Sequence, residues 1–179
     1  DALKKQINPH FLFNSFNVLS SVIETDSKLA VQFVEQLSNV YRYLLQTQEE
    51  KTVSLEDELA FIDSYIFLLK IRFGENLLVK KHIEENDLRL PPATLQLLIE
   101  NAIKHNEVSR ANPLQIELYR ENGTLVVKNN KNPKKGKKEE SSNIGLANIK
   151  NRYELLGQAI PQIEDLEEEF RVKIPLIPA

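Results

Sequence analysis

Two groups of polar residues in this sequence have types and spacing suited to chemistry. The first lies in TLQLLIENAIKHN, Thr94 to Asn106. Over Leu95–Glu107 the apolar residues Leu95, Leu98, Ile99, Ala102 and Ile103 recur at helical spacing, and Glu100, Asn101, Lys104 and His105 fall together on the opposite side. An acid, an amide oxygen, a cation and an imidazole gathered in this way suit a metal-bound phosphate, because hard cations take oxygen ligands and a cationic side chain offsets phosphate repulsion. The second group stands near the start. His10 follows Pro9, and Asn14 and Asn17, four and seven residues later, continue a polar strip on its side of a helix. A neutral imidazole is a nucleophile, so His10 is a candidate acceptor.

The elements that must position these residues are legible from hydrophobic periodicity. Residues 2–25 read as a helix, with Pro9 forcing a kink or a restart near Asn8. Ala30–Gln46 carries a second helical pattern, so the two form an αα-hairpin whose apolar surface is too broad for a hairpin alone. Burial in the following domain and in a second copy of the hairpin, as a homodimeric four-helix bundle, would cover it. Ser54 followed by Asp57 is a capping signature, opening a third helix that ends near Phe73–Gly74.

Leu77–Ile83 reads as a strand, and Pro91 and Pro92 stand before the polar-faced helix, where missing backbone donors cost least. Ile116–Tyr119 and Leu125–Val127 flank the Asn122–Gly123 turn, a strong hairpin signal. Lys131–Asn143 loses periodicity and reads as an exposed, mobile, lysine-rich loop. Helical spacing resumes over Ile144–Leu156, and Ile160–Leu166 with Phe170–Leu176 supply closing strands. The expected fold is α/β: an N-terminal helical hairpin, then a sandwich whose mainly antiparallel mixed sheet is covered by helices on one face. The expected division is a hairpin and dimerisation region over 1–50 and an α/β domain over 51–179.

Composition narrows the classes. With 23 basic and 26 acidic residues among 179, the net charge is -3, which gives no overall pull toward nucleic acid. The lysine-rich loop lacks interspersed aromatics for base stacking, so direct nucleic-acid binding is not expected. Absence of cysteine rules out a disulfide framework and a thiol nucleophile. No apolar run approaches the roughly 20 residues of a membrane span. The missing initiator Met and a first residue already in helical pattern lead us to expect a piece of a longer chain, with any span or sensor upstream.

The polar-faced helix resembles the nucleotide-binding N-box of the GHKL superfamily, and IGLANIKNR at Ile144–Arg152 resembles its later glycine-containing box. LKKQINPHFLFNSFNVL at Leu3–Leu19 closely resembles the histidine box of LytS/YehU-type sensor histidine kinases; RYLL at Arg42–Leu45 and IRFG at Ile71–Gly74 agree with the segments between the boxes. The resemblance spans nearly the whole chain and covers the transmitter portion of such a sensor. It implies an ATP-dependent protein-histidine kinase in which His10 accepts the γ-phosphoryl group of ATP and later yields it to an aspartate of a response regulator, of the LytTR DNA-binding type. It implies ATP and Mg²⁺ as cofactors, with Asn101 coordinating Mg²⁺ and Glu100 ordering water or assisting proton movement. Lys104 and His105 would lie near phosphate, Asn129 against adenine, and Gly145, Leu146, Asn148 and Arg152 at the phosphate-side junction. It also implies a homodimer and the cytoplasmic portion of a bacterial inner-membrane sensor.

This sequence departs from the superfamily pattern at Asn129, Lys131 and Asn143, where aspartate, glycine and glycine are usual. Phe11 stands where many histidine kinases carry an acid beside the acceptor, which leaves Asn14, one turn on, to orient the ring. These departures motivate a second reading, a catalytically weak or inactive nucleotide-binding and dimerisation module that signals by conformational change.

Overall fold

The computed structural model describes residues 8–84, 87–134 and 144–179. Helix α1 spans Pro9–Thr25, and its first residue is the proline. Asn8 caps it, its side-chain oxygen accepting from the backbone N–H of His10 at 3.1 Å and of Phe11 at 3.4 Å. Proline costs nothing there, because a first-turn N–H has no partner within the helix. The described helix begins at Pro9, and the part of the expected helix over residues 2–7 lies outside the described residues.

A single residue, Asp26, joins α1 to α2 (Ser27–Gln46): its backbone N–H returns to Val22 and its carboxylate accepts from Leu29 N–H at 3.0 Å. Helix α2 buries Ala30, Phe33, Leu37 and Val40, one stripe at helical spacing. After the two-residue strand β1 (Val53–Ser54), Ser54 caps α3 (Leu55–Phe73) through Asp57 N–H at 3.0 Å. Helix α3 carries Glu56, Asp57 and Glu58 in its first turn and Lys70 and Arg72 in its last, the charge order a helix dipole favours. It stops at Gly74, whose φ of 57° suits a residue without Cβ. Buried residues surround much of α3, from Leu55 to Leu69, because it is packed on several sides.

The remaining elements are β2 (Leu77–His82), β3 (Leu88–Leu90), α4 (Thr94–His105), β4 (Leu114–Glu121), β5 (Thr124–Asn130), α5 (Ile144–Leu155), β6 (Gln162–Asp165), β7 (Glu169–Pro175) and β8 (Ile177–Pro178). The main sheet runs β2-β4-β5-β7-β6, and only β2 and β4 are parallel. Helix α4 lies in the connection that parallel pairing demands. Strands β4 and β5 form the expected hairpin, with Asn122 and Gly123 both at positive φ. A small second sheet, β1-β3-β8, pairs the start of α3 with the chain's end.

The two faces of the main sheet differ. One packs Leu114, Ile116, Leu118, Leu125, Val127, Val172 and Ile174 against α3, α4 and α5 in a core cluster that continues into α2 through Phe33, Leu37 and Val40. The other carries ion pairs in register: Glu117 on β4, Lys128 on β5, Arg171 on β7 and Glu164 on β6 form one row across four strands. The architecture is thus the expected α/β sandwich behind a helical hairpin. Among the described residues, no helix is long and apolar enough to cross a membrane.

Ile99 is fully buried in α4 between sheet and helices. Ile99→Ala should therefore lower unfolding free energy by about 3 kcal/mol in a urea titration, whereas a loss below about 1 kcal/mol would mean that α4 is not packed as described.

Candidate functional site

Helix α4 has no capping side chain of its own: Ala93, at its N-cap position, is in the left-handed conformation with φ 59°. The cap comes from α3. Glu58, fully buried, accepts from Ala93 N–H through Oε2 and from Leu95 N–H through Oε1, both at 3.0 Å. Tyr43, on α2, donates its hydroxyl to the same carboxylate. Arg152, on α5, donates to Pro92 O at 2.7 Å, just before the helix begins. Burial pushes the Glu58 carboxyl up, and the bonds from Tyr43, Leu95 and Ala93 and the charge of Arg152 pull it back. The two prolines thus sit in the turn ahead of the cap, and the donors they lack are not missed.

The other end of α4 is also held by remote residues. Asn106 donates to Ala102 O at 2.8 Å and accepts from Asn132 N–H at 2.7 Å, so its amide joins the end of α4 to the chain leaving β5. Lys134 places its ammonium on the Ile103 and Lys104 carbonyls at 3.1 and 3.0 Å, where a helix C-terminus favours positive charge. Lys131 bonds Asp165 and Leu166 O. Lys134 is exposed, as expected of the lysine loop, yet both it and Lys131 are engaged, because helix carbonyls and a strand-end acid are within their reach. Residues 135–143 of that segment, Asn143 included, lie outside the described residues.

Between these clamps α4 presents Glu100 to the histidine helix. Asn8 Nδ2 donates to Glu100 Oε1 at 3.4 Å, while its oxygen caps α1, so one amide serves both helices. Tyr65 on α3 and Gln96 on α4 also bond the Glu100 carboxylate. Burial raises the Glu100 carboxyl above its ordinary range; bonds from Asn8, Tyr65 and Gln96 and the charge of His10 oppose the rise. His10 is exposed, and Asn14 Nδ2 lies 3.1 Å from its Nδ1 and 3.5 Å from its Nε2. A cavity of about 560 Å³ opens beside this contact, lined by Asn8, Pro9, Gln96, Glu100, Asn148 and Arg152 among others.

The structure thus brings Glu100, Asn148 and Arg152 together around a cavity that Asn8 and Pro9 also line, and His10, paired with Asn14, follows Pro9 in α1 but does not line the cavity. Asn101 follows Glu100 on α4 and is half-buried; Lys104 is exposed and His105 half-buried in the last turn. Gly145 and Leu146 open α5. Asn129 is buried on β5, where its Nδ2 donates to Asn130 O at 2.7 Å. Sequence reading missed Asn8, Glu58 and Asn106. Asn8 carried a usable signal, an amide directly before Pro9 at a helix start. Glu58 carried none, because its partners lie 35 and 37 residues away.

A helical hairpin carrying an exposed histidine and an α/β sandwich whose polar-faced helix is held at both ends together make the candidate site. Known proteins resemble this chain in sequence and in fold. The histidine kinase family profile matches residues 1–77. The sensor protein LytS of Streptococcus mutans serotype c is 42% identical over 105 residues, 58% of this chain and 18% of that protein. LytS of Staphylococcus haemolyticus is 35% identical over 135 residues, 72% of this chain and 23% of that protein. This chain therefore spans about a fifth of the length of these relatives. Among solved structures, the Acinetobacter baumannii histidine kinase AdeS superposes with a TM-score of 0.46 at 14% identity, over 93% of this chain and 97% of that one. Residues 1–77 thus match the histidine kinase family, and over up to 72% of its length the chain is a relative of the LytS sensor proteins.

A carboxyl whose pKa rises on folding binds its proton more tightly folded than unfolded, so its stabilisation is full below the ordinary carboxyl pKa and is lost as pH rises through the folded value. Glu100 is such a group. Glu100→Gln, neutral throughout, should gain melting temperature relative to the native protein as pH rises from about 4 to about 7. A difference in melting temperature that stays flat over that range would count against the burial of this carboxylate.

Proposed function

We propose that this region is an ATP-dependent protein-histidine kinase: it uses ATP with Mg²⁺ to phosphorylate His10 and passes the phosphoryl group to an aspartate of a response regulator. The observation that carries this reading is the exposed His10–Asn14 pair held beside Glu100, one residue from Asn101. A nitrogen of the His10 ring bonds to the γ-phosphorus as the bond to the bridging oxygen breaks, ADP leaves, and the ring's displaced proton passes to solvent or to Glu100. An Asn14 amide turned by half a rotation accepts Nδ1–H and leaves the Nε2 lone pair to attack.

The residues present suit the cofactor. Among the described residues there is no group of three or more histidine and acidic side chains that could hold a metal, and Mg²⁺ is commonly held by one or two protein oxygens with phosphate oxygens and water. Asn101 supplies the protein oxygen in this reading, and when bound the ion neutralises charge on the phosphates. Asn129 spends its amide nitrogen on Asn130 O, which leaves its oxygen to accept from an adenine amino group. Lys104, His105 and the start of α5 at Gly145 and Leu146 face the phosphates.

The hairpin and the sandwich act as two functional units, residues 1–50 and 51–179. Exposed Phe13 (69%), Phe16 (50%), Val31 (59%) and Val34 (45%) on α1 and α2 support a homodimer joined through the hairpins. The longer protein is a bacterial inner-membrane sensor with this region in the cytoplasm, and its response regulator is of the LytTR DNA-binding type.

In the full-length protein given labelled ATP and Mg²⁺, His10→Gln should abolish acid-labile label while ATP binding is kept. Label that persists on the variant would overturn the acceptor assignment. Asn101→Ala should weaken Mg²⁺-dependent ATP binding about tenfold or more, roughly 1.4 kcal/mol, and an unchanged titration would remove Asn101 from the metal. Control of the response regulator with no phosphohistidine at all would establish the conformational module instead.

A further inference from the structure

We propose that phosphoryl transfer runs within a single chain, with Asn8 as the positioning residue that clasps the histidine helix to the nucleotide-facing helix. The inference rests on the kinase reading above and adds which chain's ATP serves which chain's histidine.

Two separate contacts place the start of α1 against its own sandwich. The polar one is Asn8: its oxygen caps the backbone of His10 and Phe11, and its nitrogen reaches Glu100 at 3.4 Å. The apolar one is the Phe11 ring, 5.3 Å from the ring of Tyr65 at an interplanar angle of 41°, and Tyr65 itself bonds Glu100. His10 lies between these two contacts in sequence, so its backbone is fixed on both sides relative to α4. Asn101 is the next residue after Glu100, about 3.8 Å along the chain.

The connections enforce the same arrangement. A one-residue link ties α1 to α2, and Tyr43 near the end of α2 is anchored on Glu58, whose other bonds hold the start of α4. Serving a second chain's α4 would require Asn8 and Phe11 to leave their own partners. A preformed intramolecular juxtaposition is a high effective concentration, which favours the chain's own histidine as acceptor.

The test uses full-length protein. Wild type must first label on His10; no label there would fail the kinase reading, which is separate from this one. Chains carrying His10→Gln and Asn101→Ala are then co-expressed with different tags, purified through both tags, and given labelled ATP and Mg²⁺. Transfer within a chain predicts no label on the His10 of the Asn101→Ala chain beyond what the Asn101→Ala protein shows alone at the same ATP concentration, because the intact nucleotide site sits on the chain that lacks His10. Label on that His10 well above the level of the Asn101→Ala protein alone, near half the wild-type level, overturns the proposal. If the two do not co-purify, the same mixture made from separate chains decides it in the same way.

Asn8→Asp tests the clasp, because aspartate keeps the helix cap and sets a carboxylate against Glu100. Labelling rate at saturating ATP should fall about tenfold, with ATP affinity unchanged. A rate equal to wild type removes Asn8 from the positioning of His10, and a parallel loss of ATP affinity reduces it to a structural role.

Discussion

The structure depends on burying a carboxylate where a helix begins. The first N–H groups of α4 have no partner within the helix, and Ala93 at the cap position has no side chain to offer them. Glu58 fills that need from α3, with both oxygens engaged by backbone donors and a third donor, Tyr43, arriving from α2. Burying a lone carboxylate is costly, so the donors and the nearby Arg152 are what make the arrangement tenable. The helix dipole adds to this, since negative charge is favoured at an N-terminus. Four helices therefore share one anchor: α2 through Tyr43, α3 through Glu58, α4 through its amides and α5 through Arg152 on Pro92 O.

With its start fixed by Glu58 and its end fixed by Asn106, Asn132 and Lys134, α4 cannot slide or turn without losing buried hydrogen bonds. A fixed helix holds Glu100 and Asn101 in place before any ligand arrives, and binding then costs less ordering. The same C-terminal clamp sets the direction in which the chain leaves β5 through Asn132 and Lys134.

Much of this was legible in the sequence because most elements announce themselves locally. Apolar spacing marked α2, α3, α4 and α5, the Asn122–Gly123 pair marked the β4–β5 hairpin, and Ser54 with Asp57 marked the start of α3. The residue types of the site were visible for the same reason, since Glu100 to His105 lie within one and a half turns of helix. What holds them was not visible. Glu58 reads as one more acid in a helix first turn, and Lys134 as one more lysine in a charged loop. Their roles arise from contacts that join residues about 30 or more positions apart. Asn8 falls between the two cases: its capping role is a local rule, whereas its hold on Glu100 spans 92 positions.

The unequal strength of these contacts indicates where motion belongs. Glu58 is wholly buried and satisfied by several donors, and breaking such a group from its partners leaves an uncompensated charge in the core. Asn8 meets Glu100 through one long bond near solvent, which water can replace at little cost. The outer face of the sheet answers its charges in register and presents rows of ion pairs, whereas α1 and α2 leave Phe13, Phe16, Val31 and Val34 exposed. Of the hairpin's two polar attachments to the sandwich, Tyr43–Glu58 is therefore the stronger, and Asn8–Glu100 acts together with the Phe11–Tyr65 ring contact beside it.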